Sequence, residues 1–130
     1  MGSRYSVTCQ ECNHSFMVSD GGGFFFHLLH CDRCGKNKSV QFESLGELHL
    51  RFLKGLIGPY SIVSKKYDEQ IQAEYAGEPI SESEYHFQIE NNLDSCRCGG
   101  RFKFDAPQRC PKCRSTKLLA DKNGDFVLYD

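Results

Sequence analysis

The chain has 130 residues, with 16 Lys and Arg against 17 Asp and Glu, eight Cys, ten Phe and no Trp. With 39% hydrophobic and 25% charged side chains, and no apolar run approaching the roughly 18 residues that cross a bilayer, a membrane-spanning chain and a wholly disordered one are both excluded. A domain of this size buries about two thirds of its unfolded surface, but pieces of about 40 residues need metals or disulfides to hold them, so the cysteines decide the architecture.

The first segment, residues 1–43, alternates Tyr5 and Val7 with Ser6 and Thr8, continues through Phe16, Met17 and Val18, and alternates again from Lys38 to Phe42. That pattern predicts short antiparallel strands ending in metal-binding turns. Those turns are Cys9-Gln10-Glu11-Cys12 and Cys31-Asp32-Arg33-Cys34-Gly35, 18 residues apart, the spacing of a four-thiolate zinc site. Two residues between cysteines let one tight turn hold both sulfurs near 2.3 Å from an ion, and two such turns complete a tetrahedron. Between them Gly21-Gly22-Gly23 leads into Phe24-Phe25-Phe26-His27-Leu28-Leu29-His30. This run reads as a buried strand, and Phe24, Phe25 and Phe26 also read as a partner surface, because so small a sheet covers three rings poorly.

Residues 44–92 read as a helical connector. Ser44-Leu45-Gly46-Glu47 has the form of a capping box, and Leu45, Leu48, His49, Phe52, Leu53 and Leu56 recur at helical spacing until Gly58-Pro59. A more polar helix is expected from Lys65 to Ala76, carrying Tyr67, Ile71 and Tyr75 and closed by Gly77. Ser81 to Glu84 offers another cap before Tyr85, Ile89 and Leu93.

The last segment, residues 93–130, holds Cys96-Arg97-Cys98-Gly99-Gly100 and Cys110-Pro111-Lys112-Cys113. Its first pair is one residue short, which strains the bite and leaves room for His86 or Asp94 as a substitute ligand. Phe102 and Phe104 alternate with Lys103, and residues 118–129 are expected to fold back as a hairpin around Asn123-Gly124, with Phe126 and Leu128 on one face and Val127 and Tyr129 on the other.

Rival uses of the thiols fit less well. No apolar leader is apparent at the amino end, so reduced thiols and a cytoplasmic location are expected. No pair sits in the strand-to-helix setting of a dithiol redox catalyst, and none is followed by the His of a haem attachment. Tetrahedral sulfur suits zinc and iron alike; two zinc ions are expected, with iron as the alternative. Cys9, Cys12, Cys31 and Cys34 are expected to share one ion and Cys96, Cys98, Cys110 and Cys113 the other, although an interleaved arrangement uses the same eight thiols. His14, His27 and His30 are then core or supporting residues.

These knuckles resemble the zinc ribbons, a class related in form to rubredoxin-like knuckles, and the amino-terminal one is similar to short bacterial zinc-ribbon proteins. The resemblance implies a small metal-stabilised α+β protein, two ribbons of short antiparallel strands joined by a short helical segment; it implies no activity. Cys96-Arg97-Cys98 lacks one residue of the family spacing, and Arg114 stands where a glycine usually follows the last knuckle.

Charge is uneven: residues 44–94 carry four basic and nine acidic side chains, residues 95–130 eight and four. Arg97, Arg101, Lys103, Arg109, Lys112, Arg114 and Lys117 crowd the last cysteines, where some offset the formal charge of −2 on a four-thiolate zinc site. The expected role is a non-catalytic interaction or regulatory module with a protein partner and no membrane contact. The alternatives are a nucleic-acid accessory factor using those basic residues, and a metal-dependent enzyme in which a cysteine of the second group gives way to water.

Overall fold

Alternating β-branched, aromatic and small polar residues at the amino end run extended as β1 (Gly2–Cys9), which turns through the first cysteine pair into β2 (Ser15–Asp20). The computed structural model of the chain describes residues 2–130. Residues 21–25 then lead to β3 (Phe26–Cys31), and the second cysteine turn leads to β4 (Asn37–Gln41). Four helices follow: α1 (Phe42–Leu45), α2 (Glu47–Gly55), α3 (Lys65–Glu74) and α4 (Glu82–Asn92). The chain closes with β5 (Phe102–Lys103), β6 (Leu118–Ala120) and β7 (Phe126–Tyr129).

The strands form two antiparallel sheets, and each takes strands from both ends of the chain. In one, β1 lies between β2 on one edge and β6 and β7 on the other; Val7 faces Phe16 across one ladder and Ala120 across the other. In the second, β3 lies between β4 and β5. β3 is the strand most enclosed: His27, Leu29, His30 and Cys31 are buried, with His30 reaching back to the Ser19 carbonyl of β2 at 3.0 Å. The helices cover the β3 sheet, and Leu29, Val40, Phe52, Ile80, Tyr85, Ile89 and Phe102 make the core together with Cys31 and Cys96.

Three local expectations are corrected. The Asn123-Gly124 turn does not zip up its own arms. β6 and β7 lie end to end along β1, pairing Cys9 with Leu118 and Tyr5 with Phe126. Arms this short make a marginal two-stranded ribbon, whereas β1 offers eight residues of open edge. Asp121 pins the intervening loop, accepting hydrogen bonds from Ser6 Oγ at 2.7 Å and Thr8 Oγ1 at 2.8 Å, which hold its carboxyl below the ordinary range. Phe126, Val127 and Leu128 are all more than half exposed, so β7 has no core face.

The Ser44 capping box is not used. Gly46, at φ 57°, breaks the chain between α1 and α2, so Glu47 opens α2 instead of lying a turn inside it, and Ser44 Oγ donates to the Gln41 carbonyl. α2 still buries the expected stripe at His49, Phe52 and Leu53. α3 ends at Glu74, with Tyr75 as its C-cap, before Gly77, and the side chain it buries is Asp68, not Tyr67. The cap of α4 forms as expected, Ser81 Oγ accepting from the Glu84 N–H at 3.2 Å.

At the centre of the core, the Tyr85 hydroxyl lies 2.8 Å from both His27 Nε2 and His49 Nδ1. One hydroxyl donates to one imidazole and accepts from the other, so the accepting ring is neutral and the two cannot both carry a proton on the nitrogens that face Tyr85. Burial lowers His27 to about 3, helped by the charges of His49 and His86, and lowers His49 to about 4 against the pull of Asp68. Both folded values lie below that of the unfolded chain, so the stability they contribute is full above about pH 6.5 and drains as pH falls toward those values. Urea unfolding between about pH 6 and pH 4 should lose about 1.4 kcal/mol per pH unit for each imidazole, and the His27→Gln, His49→Gln double variant should flatten that part of the slope.

Candidate metal centres

The four cysteine pairs make turns of one design. In three of them the first cysteine's N–H donates to the carbonyl five residues on, Cys9 to His14, Cys31 to Lys36 and Cys110 to Ser115, each at 2.9 Å. The residue after the second cysteine donates back to the first cysteine's carbonyl: Asn13 to Cys9 at 2.9 Å, Gly35 to Cys31 at 3.0 Å and Arg114 to Cys110 at 2.8 Å. Closing the turn this way needs a left-handed residue there, and φ is 62° at Asn13, 78° at Gly35 and 64° at Arg114. The short pair keeps the design with each bond drawn in by one residue: Cys96 donates to the Gly100 carbonyl at 2.8 Å, and Gly99, at φ 93°, donates to the Cys96 carbonyl at 2.9 Å. Cys96 and Cys98 therefore present their sulfurs as a pair, and neither His86 nor Asp94 stands in for them; His86 stacks on Phe104 instead, with 3.8 Å between ring centroids.

The pairs do not meet in sequence order. Cys9, Cys12, Cys110 and Cys113 gather their sulfurs within 4.8 Å of one another, and Cys31, Cys34, Cys96 and Cys98 do the same. Each centre thus takes one pair from either end of the chain, in place of the grouping expected from the spacing, and the second is nested inside the first. Cross-turn sulfur separations are 3.5 Å for both Cys9–Cys113 and Cys12–Cys110, 3.4 Å for Cys31–Cys98 and 3.7 Å for Cys34–Cys96. Sulfurs each 2.3 Å from a tetrahedral ion lie about 3.8 Å apart, whereas disulfide sulfurs lie about 2.05 Å apart, so the spacing is that of metal ligands.

Strand pairing brings the turns together. β1 runs into the first turn alongside β6, and the Gln10 N–H continues that ladder to the Lys117 carbonyl at 2.8 Å. β3 runs into the second alongside β5, continued by Asp32 N–H to the Arg101 carbonyl at 2.8 Å and locked by Arg101 N–H to Asp32 Oδ1 at 2.9 Å. Gly100 is the point of closest approach: a Cβ there would lie 2.5 Å from Cys31 Sγ, inside the sulfur's own volume. The inner centre, Cys31, Cys34, Cys96 and Cys98, is part of the hydrophobic core, while the outer one leaves Cys12 and Cys113 exposed.

Amide N–H groups point at the sulfurs, including those of Arg33 and Cys34 toward Cys31 and Gly100 toward Cys98, at 3.4 to 3.5 Å. The Gly100 amide lowers the Cys98 thiol, and Cys110, although burial opposes it, falls to about 7 under the amides of Cys113 and Lys112. Crowding works the other way elsewhere. Burial, reinforced by the neighbouring thiols, pushes Cys34 up to about 12; the Ser115 amide favours the Cys113 thiolate, yet burial and its three neighbours push it up to about 12. Four thiols this close ionise together only when a cation neutralises them, and the all-sulfur tetrahedral set suits a borderline-soft divalent ion.

Residues 5–119 match the family described as a domain of unknown function, DUF8255. The chain belongs to this family. The matched stretch holds all eight cysteines of both centres. No curated protein and no solved structure matches the chain.

The basic residues of the DUF8255 carboxyl segment are shared between the two centres. Arg97 and Arg101 are exposed beside the inner one and Lys103 is half-buried in β5; Lys112, Arg114 and Lys117 are exposed around the outer one. Lys117 is tied to Glu11 at 3.1 Å, and Arg109 Nη1 donates to the Arg114 carbonyl at 3.0 Å while its buried Nε has no partner among the described residues. Arg33, which spacing did not single out, spans the inner centre to the Cys98 carbonyl at 3.2 Å. Phe24, Phe25 and Phe26 separate: Phe25 is 59% exposed, Phe24 borders a cavity, and Phe26 stacks on Tyr129. His27 and His30 are core residues, and His14 stacks on Phe16.

The nested geometry predicts a metal count. The Cys12→Ser, Cys113→Ser variant should retain one ion per chain by elemental analysis and the Cys12→Ser, Cys34→Ser variant none; ligands grouped by sequence would give the reverse. Arg114 holds a left-handed φ at a cost that glycine avoids, so Arg114→Gly should stabilise the metal-loaded chain by about 0.5–1 kcal/mol in urea.

Proposed function

We propose that this protein is a zinc-binding, non-catalytic interaction module in which two structural ions hold the chain in shape and a protein partner docks on the face around Phe25. The single observation that carries the reading is the closed donor set. Each centre supplies four sulfurs at tetrahedral spacing, so all four positions on an ion are taken by the chain and none is left for water or substrate. Zinc favours this coordination without redox chemistry, and amides directed at the sulfurs spread their charge as a permanent structural site requires.

Energetics support a structural role. A zinc ion in such a site contributes on the order of 10–16 kcal/mol of apparent binding energy at neutral pH, comparable with or above the whole net stability of a small domain. The inner centre replaces hydrophobic core at Cys31 and Cys96, so metal binding and core formation are one event. The docking face is motivated by a group of exposed apolar side chains: Phe25 at 59%, Val63 at 56% and Tyr67 at 52% border one cavity, with Ile62 at 92% beside them.

Native protein should carry two zinc ions per chain, and stripping them with a strong chelator should collapse the dispersion of the amide NMR spectrum until zinc is restored. A metal-free chain with an unchanged spectrum would overturn the structural reading, and iron found in place of zinc would overturn the choice of ion.

A further inference from the structure

Beside the β3 sheet, away from both thiol centres, lies a cavity of about 540 Å³, within the range that holds small organic ligands. Its walls come from the connection before β3, from α1 and α2, and from the segment that enters α3. Five phenylalanine and tyrosine rings line it: Phe24, Phe25, Phe42, Tyr60 and Tyr67. Its charged groups are Glu43 and Asp68, and neither Lys nor Arg lines it.

Asp68 is the unusual member. It is 2% exposed, and its Oδ2 accepts hydrogen bonds from the Tyr60 N–H at 2.8 Å and the Ser64 hydroxyl at 2.7 Å. Among the described residues no Lys or Arg forms an ion pair with it; the two ion pairs there are Lys65–Glu69 and Lys117–Glu11. A fully buried aspartate is rare without a cationic partner, because desolvating a carboxylate costs several kcal/mol that two neutral donors only partly offset. The imidazole at the cavity wall does not supply the missing charge. Burial lowers His49 to about 4, and its Nδ1 is taken by Tyr85, so the ring is neutral near pH 7.

We propose that this cavity is a binding site for a small organic ammonium ion with an apolar body, its charge beside Asp68 and its body against the rings of Phe25, Phe42, Tyr60 and Tyr67. A carboxylate among aromatic faces recognises a weakly hydrated cation through ring quadrupoles and one desolvated charge. An inorganic dication fits poorly, since calcium or magnesium needs six or more oxygens and these walls are mostly carbon. An anion meets two carboxylates and no positive charge. The site shares its rim with the Phe25 face assigned to a partner but has no cysteine in its lining, so its test on the zinc-loaded chain is separate from the metal count.

The experiment is a titration of the full-length, zinc-loaded chain with benzyltrimethylammonium, followed by amide NMR, with benzyl alcohol as the uncharged comparator. The expected result is saturable shifts at Phe25, Tyr60 and Tyr67, with the alcohol bound at least tenfold more weakly. Asp68→Asn keeps an oxygen for Tyr60 and Ser64 while removing the charge, and should weaken the ammonium about tenfold without altering the alcohol. Tyr67→Leu, at an exposed position on α3, should weaken the ammonium several-fold and decides the matter if the Asn variant fails to fold. Equal affinity for ammonium and alcohol, shifts confined to other residues, or ammonium binding untouched by either substitution would overturn the proposal.

Discussion

Everything in this chain answers to one requirement: eight sulfurs must be delivered to two points, and the turns that deliver them lie far apart in sequence. Cys12 and Cys110 are 98 positions apart yet 3.5 Å from one another. Closing a loop of that length costs only about 1.5 kcal/mol more than closing the 18-residue alternative, because the entropy grows with the logarithm of length. A bound ion is worth several times that difference. Loop entropy therefore does not choose between the arrangements. The choice falls to the strands, since β1 with β6 and β3 with β5 carry their turns to the same place.

The two centres differ in what surrounds them. The inner one sits among Leu29, Tyr85, Ile89 and Phe102, so its loss exposes the core. The outer one closes the edge of the β1 sheet, where β6 and β7 are short and their side chains largely exposed. Local opening is thus expected to begin at the outer centre, where few apolar contacts oppose it, and to reach the inner one only with global unfolding.

Away from the thiol centres, polar groups organise the interior. Tyr85 hydrogen-bonds two buried imidazoles at the heart of the helical layer, and Asp68 is buried in the first turn of α3 with no ion-pair partner among the described residues. Placing such groups inside a small core is costly unless each is satisfied, so they confine the helices to few arrangements. The Phe25 rim and the cavity beneath it are held on that rigid layer, next to β3.

Much of the local chemistry was legible in the residues themselves. The four turns, the extended runs around them, the buried stripe of α2 and the Ser81 cap of α4 depend on neighbours a few positions apart, and short spacing encodes them. The Ser44 cap misled because a positive φ at Gly46 shifts the start of α2, and the hairpin at Asn123-Gly124 misled because the vacant edge of β1 outcompetes a short partner. Asp68 and Tyr60 gave no periodic signal, since their burial comes from packing between elements. The sequence by itself determined that eight cysteines would form four paired-thiol turns able to hold a metal. Which turn joined which was decided by strand pairing across the whole chain, because every cysteine pair offers the same sulfur bite and only long-range backbone hydrogen bonding tells one partner from another.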